Sequence, residues 1–559
     1  MVSAMLCDAL TSPTKSLVAL YSSLTANGQA IDFPTLAPKH FKNIFSSQKH
    51  FSQIPPLDVR HPPSAYSPRS LVRFRAMVQD TSLSQEIYLS SFGDGKPGGW
   101  GLEDEALVDD EDVGDIDHAK LRERTVIWAV SIPGEAEWVS EFIEDSEEPG
   151  GTQALAAPLE AASRAHKFPD PSCPHIGAFI KLYDASESTP KSTEIYTFVG
   201  VLTSESRPEL APSENAPVYP TLHVLFSIPR PPTITPFPYP FSAGSPEASP
   251  IGDVPLQADV DHGVLELRNE LISWIADEAL GGDKEAAEWV VLTCVGKVRS
   301  RAPQLNPLSL TISNFPSSPT PPDAKSSSVP TVAAILSHIL PITAHLPLSL
   351  SLLNTSSFVP EYHEEDLHSG RLQLPAGTTV LVEETGMTEG KVVEKGLRNI
   401  TALQQCIASQ SISYVFPYST FSFSTDLTFI VLSEGKKSAF VDTDVNIRLR
   451  DLSAEPAEFY KPADRINVPP PAKLEAFRRL VGGAKNGQVT ISESVSKFIQ
   501  DDFVKERRDM KGTTSEDLAL RMSAARVMAL SMHEKEVTQC IWERVKVLDQ
   551  HRKAAAAAF

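Results

Sequence analysis

A chain of 559 residues has room for two to four domains, and its 41% hydrophobic and 22% charged composition is that of an ordinary water-soluble fold. Its net charge of -21 repels phosphate backbones, which counts against direct nucleic-acid binding and favours a basic protein surface as partner. Cys7, Cys173, Cys294, Cys406 and Cys540 show no C-x-x-C spacing, against a disulfide framework or zinc ribbon, and no run of about 18 apolar residues offers a membrane span.

The N-terminus, MVSAMLCDALTSPTKSLVALYSSL, lacks the basic start and unbroken apolar core of a signal peptide, so cytosol or nucleus is expected. A short amphipathic helix is predicted from about Pro13 to Leu24. A polar, serine-rich approach follows, then PPLDVRHPPSAYSP (55–68), whose prolines leave no room for regular structure. SLVRFRAMVQDT (70–81) alternates, with Leu71, Arg73 and Arg75 on one face and Val72, Phe74 and Ala76 on the other, and predicts a strand. EDEALVDDEDVGDID (103–117) holds nine acidic residues and no basic one, a self-repelling insertion. RTVIWAVSIPGEAEWV (124–139) returns to strand character, and 143–170 reads as a second insertion. GAFIKLYD (177–184), EIYTFVGVL (194–202) and TLHVLFSI (221–228) follow as strands. Strands this short and this close suit a small antiparallel barrel, which leaves no exposed edge; an open sandwich is the alternative.

The proline-dense segment PRPPTITPFPYPFSAGSPEASP (229–250) is a linker, and the pattern changes after it. Helices are predicted at 263–282 and 283–298, the first stopped by Gly281-Gly282. Strands at 308–313, 346–354, 377–383, 412–416 and 426–433 then alternate with helices at 330–341 and 399–410, the latter capped by Asn399 or Thr401. This alternation predicts an α/β layer around a largely parallel sheet. The tail is helical at 494–509, 514–532 and 533–552, with Thr514 to Asp517 arranged as a capping box.

The strand in TTVLVEETGM ends in Glu383 and Glu384, a pattern that can hold magnesium and a water where a phosphate site faces it. No G-x-x-x-x-G-K-[ST] loop occurs. After the strand 308–313 the chain reads NFPSSPTPPDAKSSS, where proline replaces glycine and Lys325-Ser326 has no glycine frame. GDGKPGG (93–99) fails as well, because Pro97 follows Lys96. The 14 histidines show no triad or H-E-x-x-H spacing. Cys173 and His175 lack a second pair, and His363 and His368 beside Glu364, Glu365 and Asp366 read as a solvated loop or helix end. No cofactor and no metal are therefore expected. Asp501 and Asp502 lie on a helix with Lys505, so surface salt bridges account for them. Arg73, Phe74, Arg75, Tyr88 and Trp128 would be the stacking and charge contacts if the barrel bound single strands.

Several segments together resemble the minichromosome maintenance (MCM) complex-binding protein family: LVRFRAMVQD, ERTVIWAVSIPGEAEWV, RNELISWIADEALGGDKEAAEWVVL, SGRLQLPAGTTVLVEET, NITALQQCIASQSISYVFPY and FIVLSEGK, completed by TSEDLALRMSAARVMALS. They keep family order from about 70 to 550; the two insertions and the N-terminus depart from it. The resemblance implies a nuclear, non-enzymatic partner of the replicative helicase subunits. Such a partner acts in MCM assembly and stability, in removal of MCM complexes from chromatin, and in sister-chromatid cohesion, and reaches chromatin only through MCM. The second half is also similar to the helicase subunits, which puts Glu383 at their acidic aspartate, Glu384 at their catalytic glutamate and Ser433 near their sensor asparagine.

The fold so implied is α/β plus β, an oligonucleotide-binding-like β-barrel followed by a degenerate AAA+-like domain with a helical lid. Its divisions are 1–69 (helix and lead-in), 70–228 (barrel, with acidic disordered insertions at about 93–120 and 143–170), 229–262 (linker), 263–455 (AAA+-like) and 456–559 (lid and tail). Candidate interaction residues are Phe74, Arg75, Trp138, Asp501 and Asp502. The rival readings are an AAA+ ATPase with an unusual nucleotide grip and a single-strand-binding module.

Overall fold

The structure, a computed structural model, describes residues 2–28, 32–92, 96–102, 118–139, 164–183, 189–206, 218–230, 239–240, 263–319, 328–385, 387, 389–450, 455–509 and 514–557. The acidic insertion 103–117, most of the insertion 143–170 and most of the linker 229–262 lie outside these residues. The fold is mixed, with several sheets and helices, and no helix among the described residues is long and apolar enough to cross a membrane.

β1 (Pro56–Leu57), β2 (Leu71–Asp80), β3 (Glu86–Leu89), β4 (Leu121–Val130), β5 (Gly177–Leu182), β6 (Ile195–Ser206) and β7 (Val218–Arg230) share one sheet, in the order β1-β2-β6-β7-β5-β4-β3. β2 also pairs with β4, Met77 opposite Val130, so β2, β6, β7, β5 and β4 form a closed cycle of hydrogen-bonded neighbours. Within that cycle only β5 and β7 run parallel. Alternation along the strands sorts the side chains. Val72, Phe74, Ala76 and Val78 join Ile127, Ala129, Ile180, Phe198 and Leu222 in one core.

Leu71, Val199, Val201 and Leu225 face the other way and are covered by N-terminal helices that bring Phe33, Phe41 and Phe45. Both sides of β2 are thereby buried. The single helix predicted near the N-terminus is thus an under-reading. Helices run over Val2–Thr11, Pro13–Ala26, Phe33–Ile44 and Gln48–Phe51, two of them with proline in the first turn, where its missing N–H costs nothing. The lead-in 55–68 is not without regular structure either, since Pro56–Leu57 runs parallel to Arg73–Phe74.

Chain order continues with β8 (Ser300–Arg301), β9 (Gln304–Leu305), β10 (Leu310–Ser313), β11 (Thr343–Pro347), β12 (Glu361–His363), β13 (Asp366–His368), β14 (Thr379–Glu383), β15 (Ser411–Phe416), β16 (Ser419–Ser424), β17 (Thr428–Leu432) and β18 (Val445–Arg448). Five of these form a parallel sheet in the order β11-β14-β17-β10-β18. β10, β14 and β17 are buried throughout, as a parallel sheet covered on both faces requires, even where β10 carries the polar Thr311 and Ser313. One side packs on helices Val264–Ala279, Lys284–Val295 and Thr331–Ile339 and on the tail helices. The other packs on helix Glu394–Ser409 and the second sheet, β13-β12-β15-β16.

Three local expectations are corrected. LPLSLSLLN is a strand only to Pro347; the Ser349 Oγ then accepts from the Leu352 N–H at 3.1 Å and caps helix Leu350–Thr355. Helix Glu394–Ser409 starts five residues before Asn399, which is buried inside it and donates to the carbonyls of Leu353 and Ser356, both at 2.8 Å. A further helix, Pro471–Asn486, precedes the predicted tail, whose last helix begins at Gln539 rather than His533. The capping box at Thr514 and Asp517 is present.

Candidate functional site

Glu383 closes β14 beside Leu432 of β17, at the carboxyl edge of the parallel sheet. It is buried, and both its oxygens are taken by the protein itself. Oε1 accepts from the Thr385 hydroxyl at 2.6 Å and the Tyr460 phenol at 3.0 Å, and Oε2 lies 2.8 Å from the His345 Nε2. Burial, then the Glu383 charge, pushes the Tyr460 phenol far above its ordinary range and keeps it a neutral donor. Glu384 is buried too. Its Oε1 accepts from the Ser438 hydroxyl at 2.5 Å and its Oε2 from the Ala439 N–H at 3.0 Å. Ser433 donates to the Lys437 carbonyl at 3.0 Å and accepts from the Gly435 N–H at 3.3 Å.

Next to them, the chain leaving β10 turns at Asn314 with φ of 60° and buries Phe315 against Phe459 and Tyr460, ring centres 5.5 and 6.0 Å apart. Lys325 and Ser326 lie outside the described residues. A magnesium ion at this edge would have to displace Thr385, Tyr460 and His345 from one glutamate, or Ser438 and Ala439 from the other. In chemical terms the edge is a set of satisfied acceptors.

The candidate interaction residues are mostly internal. Phe74 is fully buried in the strand core, Trp128 is fully buried in a separate cluster with Phe179, and Tyr88 is nearly fully buried under the N-terminal helices, so none presents a ring for stacking. Arg75 pairs with Glu135 at 2.8 Å; burial lowers the guanidinium and raises the carboxyl, each opposed by the other's charge. Trp138 is buried, donates its indole N–H to the Ser337 carbonyl at 2.9 Å and lies under Arg478, 4.2 Å from ring centre to guanidinium. Asp502 pairs with Lys546 at 2.8 Å rather than with Lys505, and accepts from the Trp542 indole at 3.0 Å. Burial opposes its ionisation, but Lys546 and Trp542 hold the carboxyl below its usual range. Asp501 is exposed.

Arg75 and Trp138 instead mark a seam between the strand cycle and the parallel sheet. The Ala136 N–H donates to Pro341 and the Thr343 N–H to Gly134, both at 2.9 Å, which lays the segment after β4 on edge strand β11. Deeper in the seam, the Lys167 ammonium sits 2.5 Å from both Asp80 and Asp366, and Arg164 reaches Asp366 at 2.7 Å. The Gln79 amide donates to Gln373 at 3.2 Å, and Gln373 returns a bond to the Gln79 carbonyl at 2.8 Å. Burial opposes ionisation of Asp366, but His166, Lys167 and Arg164 hold its carboxyl well below the usual carboxylate range. Sequence reasoning missed this set, because Lys167 falls in the stretch read as an insertion and its partners lie far away along the chain.

One surface stands out for its lack of chemistry. β16 is the edge of the second sheet and every residue in it is exposed, including Phe421 and Phe423, and the hairpin from Ser411 to Ser424 carries no charge. An uncharged edge strand with protruding rings is a ready contact for another chain.

Comparison with known sequences gives a consistent neighbourhood. The chain matches the family described as Mini-chromosome maintenance replisome factor over residues 41–161 and 145–556. It is 25% identical over 577 residues to the Mini-chromosome maintenance complex-binding protein of Arabidopsis thaliana, with 92% of each chain covered. The protein of the same name from Danio rerio is 25% identical over 581 residues, covering 87% of this chain and 88% of its own. The Homo sapiens protein is 27% identical over 290 residues, 51% of this chain and 44% of its own.

Proposed function

The chain belongs to the Mini-chromosome maintenance replisome factor family, and from that premise we propose that it is a non-enzymatic binding partner of MCM helicase subunits. In this reading it acts in the nucleus in DNA replication, supporting MCM assembly and stability and the removal of MCM complexes from chromatin, and it serves sister-chromatid cohesion. Contact with chromatin is indirect, through MCM. The names of the relatives, all MCM complex-binding proteins, support the partner.

The observation that carries the non-enzymatic reading is the engagement of Glu383 and Glu384 by the protein's own donors, beside an edge packed with Phe315 and Phe459. The closed strand cycle supports an oligonucleotide-binding-type barrel at 70–228. The adjacency of the strands bearing Glu383 and Ser433, with β10 next in order, supports a degenerate AAA+ unit at 263–455, for which the helices of 456–559 form the lid. On this view the second unit offers MCM-like surfaces to MCM subunits and occupies an interface meant for a neighbour. The exposed edge strand β16 supports a role in contact rather than in chemistry.

Affinity-purified protein is expected to retain MCM subunits at moderate salt; recovery of none would sink the proposal. Glu384→Gln separates it from the ATPase rival. The amide puts a donor where one of Ser438 and Ala439 already donates, so a stability loss of about 1–3 kcal/mol is expected in denaturant melts, with no ATP turnover before or after. Turnover in the pure protein that this change abolished would establish the ATPase instead.

A further inference from the structure

Histidine side chains converge on Asp366 at the rim of the seam. His166 lies in the turn Ala165–Lys167, and Asp366 and His368 occupy alternate positions of β13, which points them to the same side. The His166 Nε2 is 2.8 Å from the Asp366 Oδ2, and the His166 and His368 rings are 4.3 Å apart, centre to centre. One donor atom from each of the three residues lies within 4.8 Å of the others, and no other such set of His, Cys, Asp or Glu occurs among the described residues. His363 stands opposite Asp366 in the β12–β13 hairpin, its ring 5.4 Å from that of His368.

We propose that His166, Asp366 and His368 bind a divalent transition-metal ion, zinc being the ion that two imidazoles and one carboxylate suit best, with His363 or water completing the shell. Magnesium and calcium prefer all-oxygen shells and fit this set poorly. Zinc bonds of about 2.0–2.1 Å in a tetrahedron put neighbouring ligand atoms roughly 3.4 Å apart, so the donors have to move by about 1 Å or less. The ion would take the place of the proton between His166 and Asp366. Among the described residues no hydrogen bond engages the His368 ring, so its donor nitrogen is available. Arg164 on Oδ2 and Lys167 on Oδ1 would stay behind the carboxylate and fix its orientation, as outer partners of metal ligands do.

The fixed charges set the strength of the site. Arg164 and Lys167 are matched by Asp80 and Asp366, so the ion meets neither net repulsion nor an excess of carboxylate. Binding is therefore weaker than in a closed structural zinc site. The His166 side chain is 37% exposed, which leaves an entry path. Because His166 belongs to the segment between β4 and β5 while Asp366 and His368 belong to β13, the ion would clamp the two units together.

The test uses the full chain, stripped with a chelator and titrated with zinc against a chromogenic competitor. One zinc per chain is expected. His368→Gln and His166→Gln should each weaken uptake by about tenfold or more, while His175→Gln, beside Cys173, should leave it unchanged. Zinc should raise the melting temperature of the wild type and not that of His368→Gln. Because a variant can lose metal by losing its fold, X-ray absorption on the wild type provides a second arm, with histidine nitrogen and oxygen expected in the first shell. No uptake, uptake indifferent to both ligand changes, or a sulfur shell would each overturn the assignment.

Discussion

Replacing Lys167 with methionine is expected to lower the unfolding free energy by about 3–5 kcal/mol in urea melts, the cost of leaving a buried charge unpaired. The ammonium is fully buried and stands 2.5 Å from both Asp80 and Asp366. Without it two carboxylates face each other across the seam. Asp366 keeps Arg164 at 2.7 Å, but among the described residues Asp80 keeps only the Ser82 N–H and hydroxyl, at 2.8 and 2.6 Å on its other oxygen. Asp80 should therefore carry most of the penalty, and Asp80→Asn in the Lys167→Met background should recover part of it. A loss below about 1 kcal/mol would show that water or rearrangement serves the carboxylates in place of Lys167.

The second large effect is expected at Gly134. Its φ is +73°, and a Cβ added there would stand 2.1 Å from the Thr343 carbonyl oxygen, a backbone atom that cannot step aside alone. Gly134→Val is expected to cost about 2–4 kcal/mol, combining left-handed backbone strain with the loss of the hydrogen bonds that lay 134–136 on β11. Trp138 reports the event directly, since it should leave its place under Arg478 and its emission should shift to the red. Gly282→Val is the control. It shares a positive φ of +86° but has nothing within 4 Å, so it should show the strain alone and no change at Trp138. Equal losses at both glycines would mean that the seam tolerates the collision.

Much of the fold was legible because it follows local periodicity. Alternation in LVRFRAMVQD and unbroken apolar runs such as TVLV and FIVL mark strands wherever they sit, and the structure has them in place. LPLSLSLLN failed because its alternation fits a strand while the Ser349 cap, a single side-chain hydrogen bond, turns the chain into a helix. Phe74 stands as a candidate contact in the sequence because alternation sorts residues by face without saying which face is covered. Here the strand cycle buries one and the N-terminal helices bury the other. The glutamate pair was found from its strand, but what holds it was not, since Ser438, Tyr460 and His345 come from three separate segments. His166 and Asp366 are 200 residues apart, and no spacing rule reaches that far.

The same distances have a consequence in time. A chain made from its N-terminus completes β7 while Asp366, Gln373 and Tyr414 are still unmade, at elongation rates of about 5–20 residues per second. For roughly ten to thirty seconds Lys167 has Asp80 but not Asp366, and Gln79 and Ser192 lack Gln373 and Tyr414. During that interval the face around Asp80 and Lys167 is open to water and to other chains. Synthesis of the second half is what closes it, so a truncated product ending in the proline-rich linker would carry that face permanently.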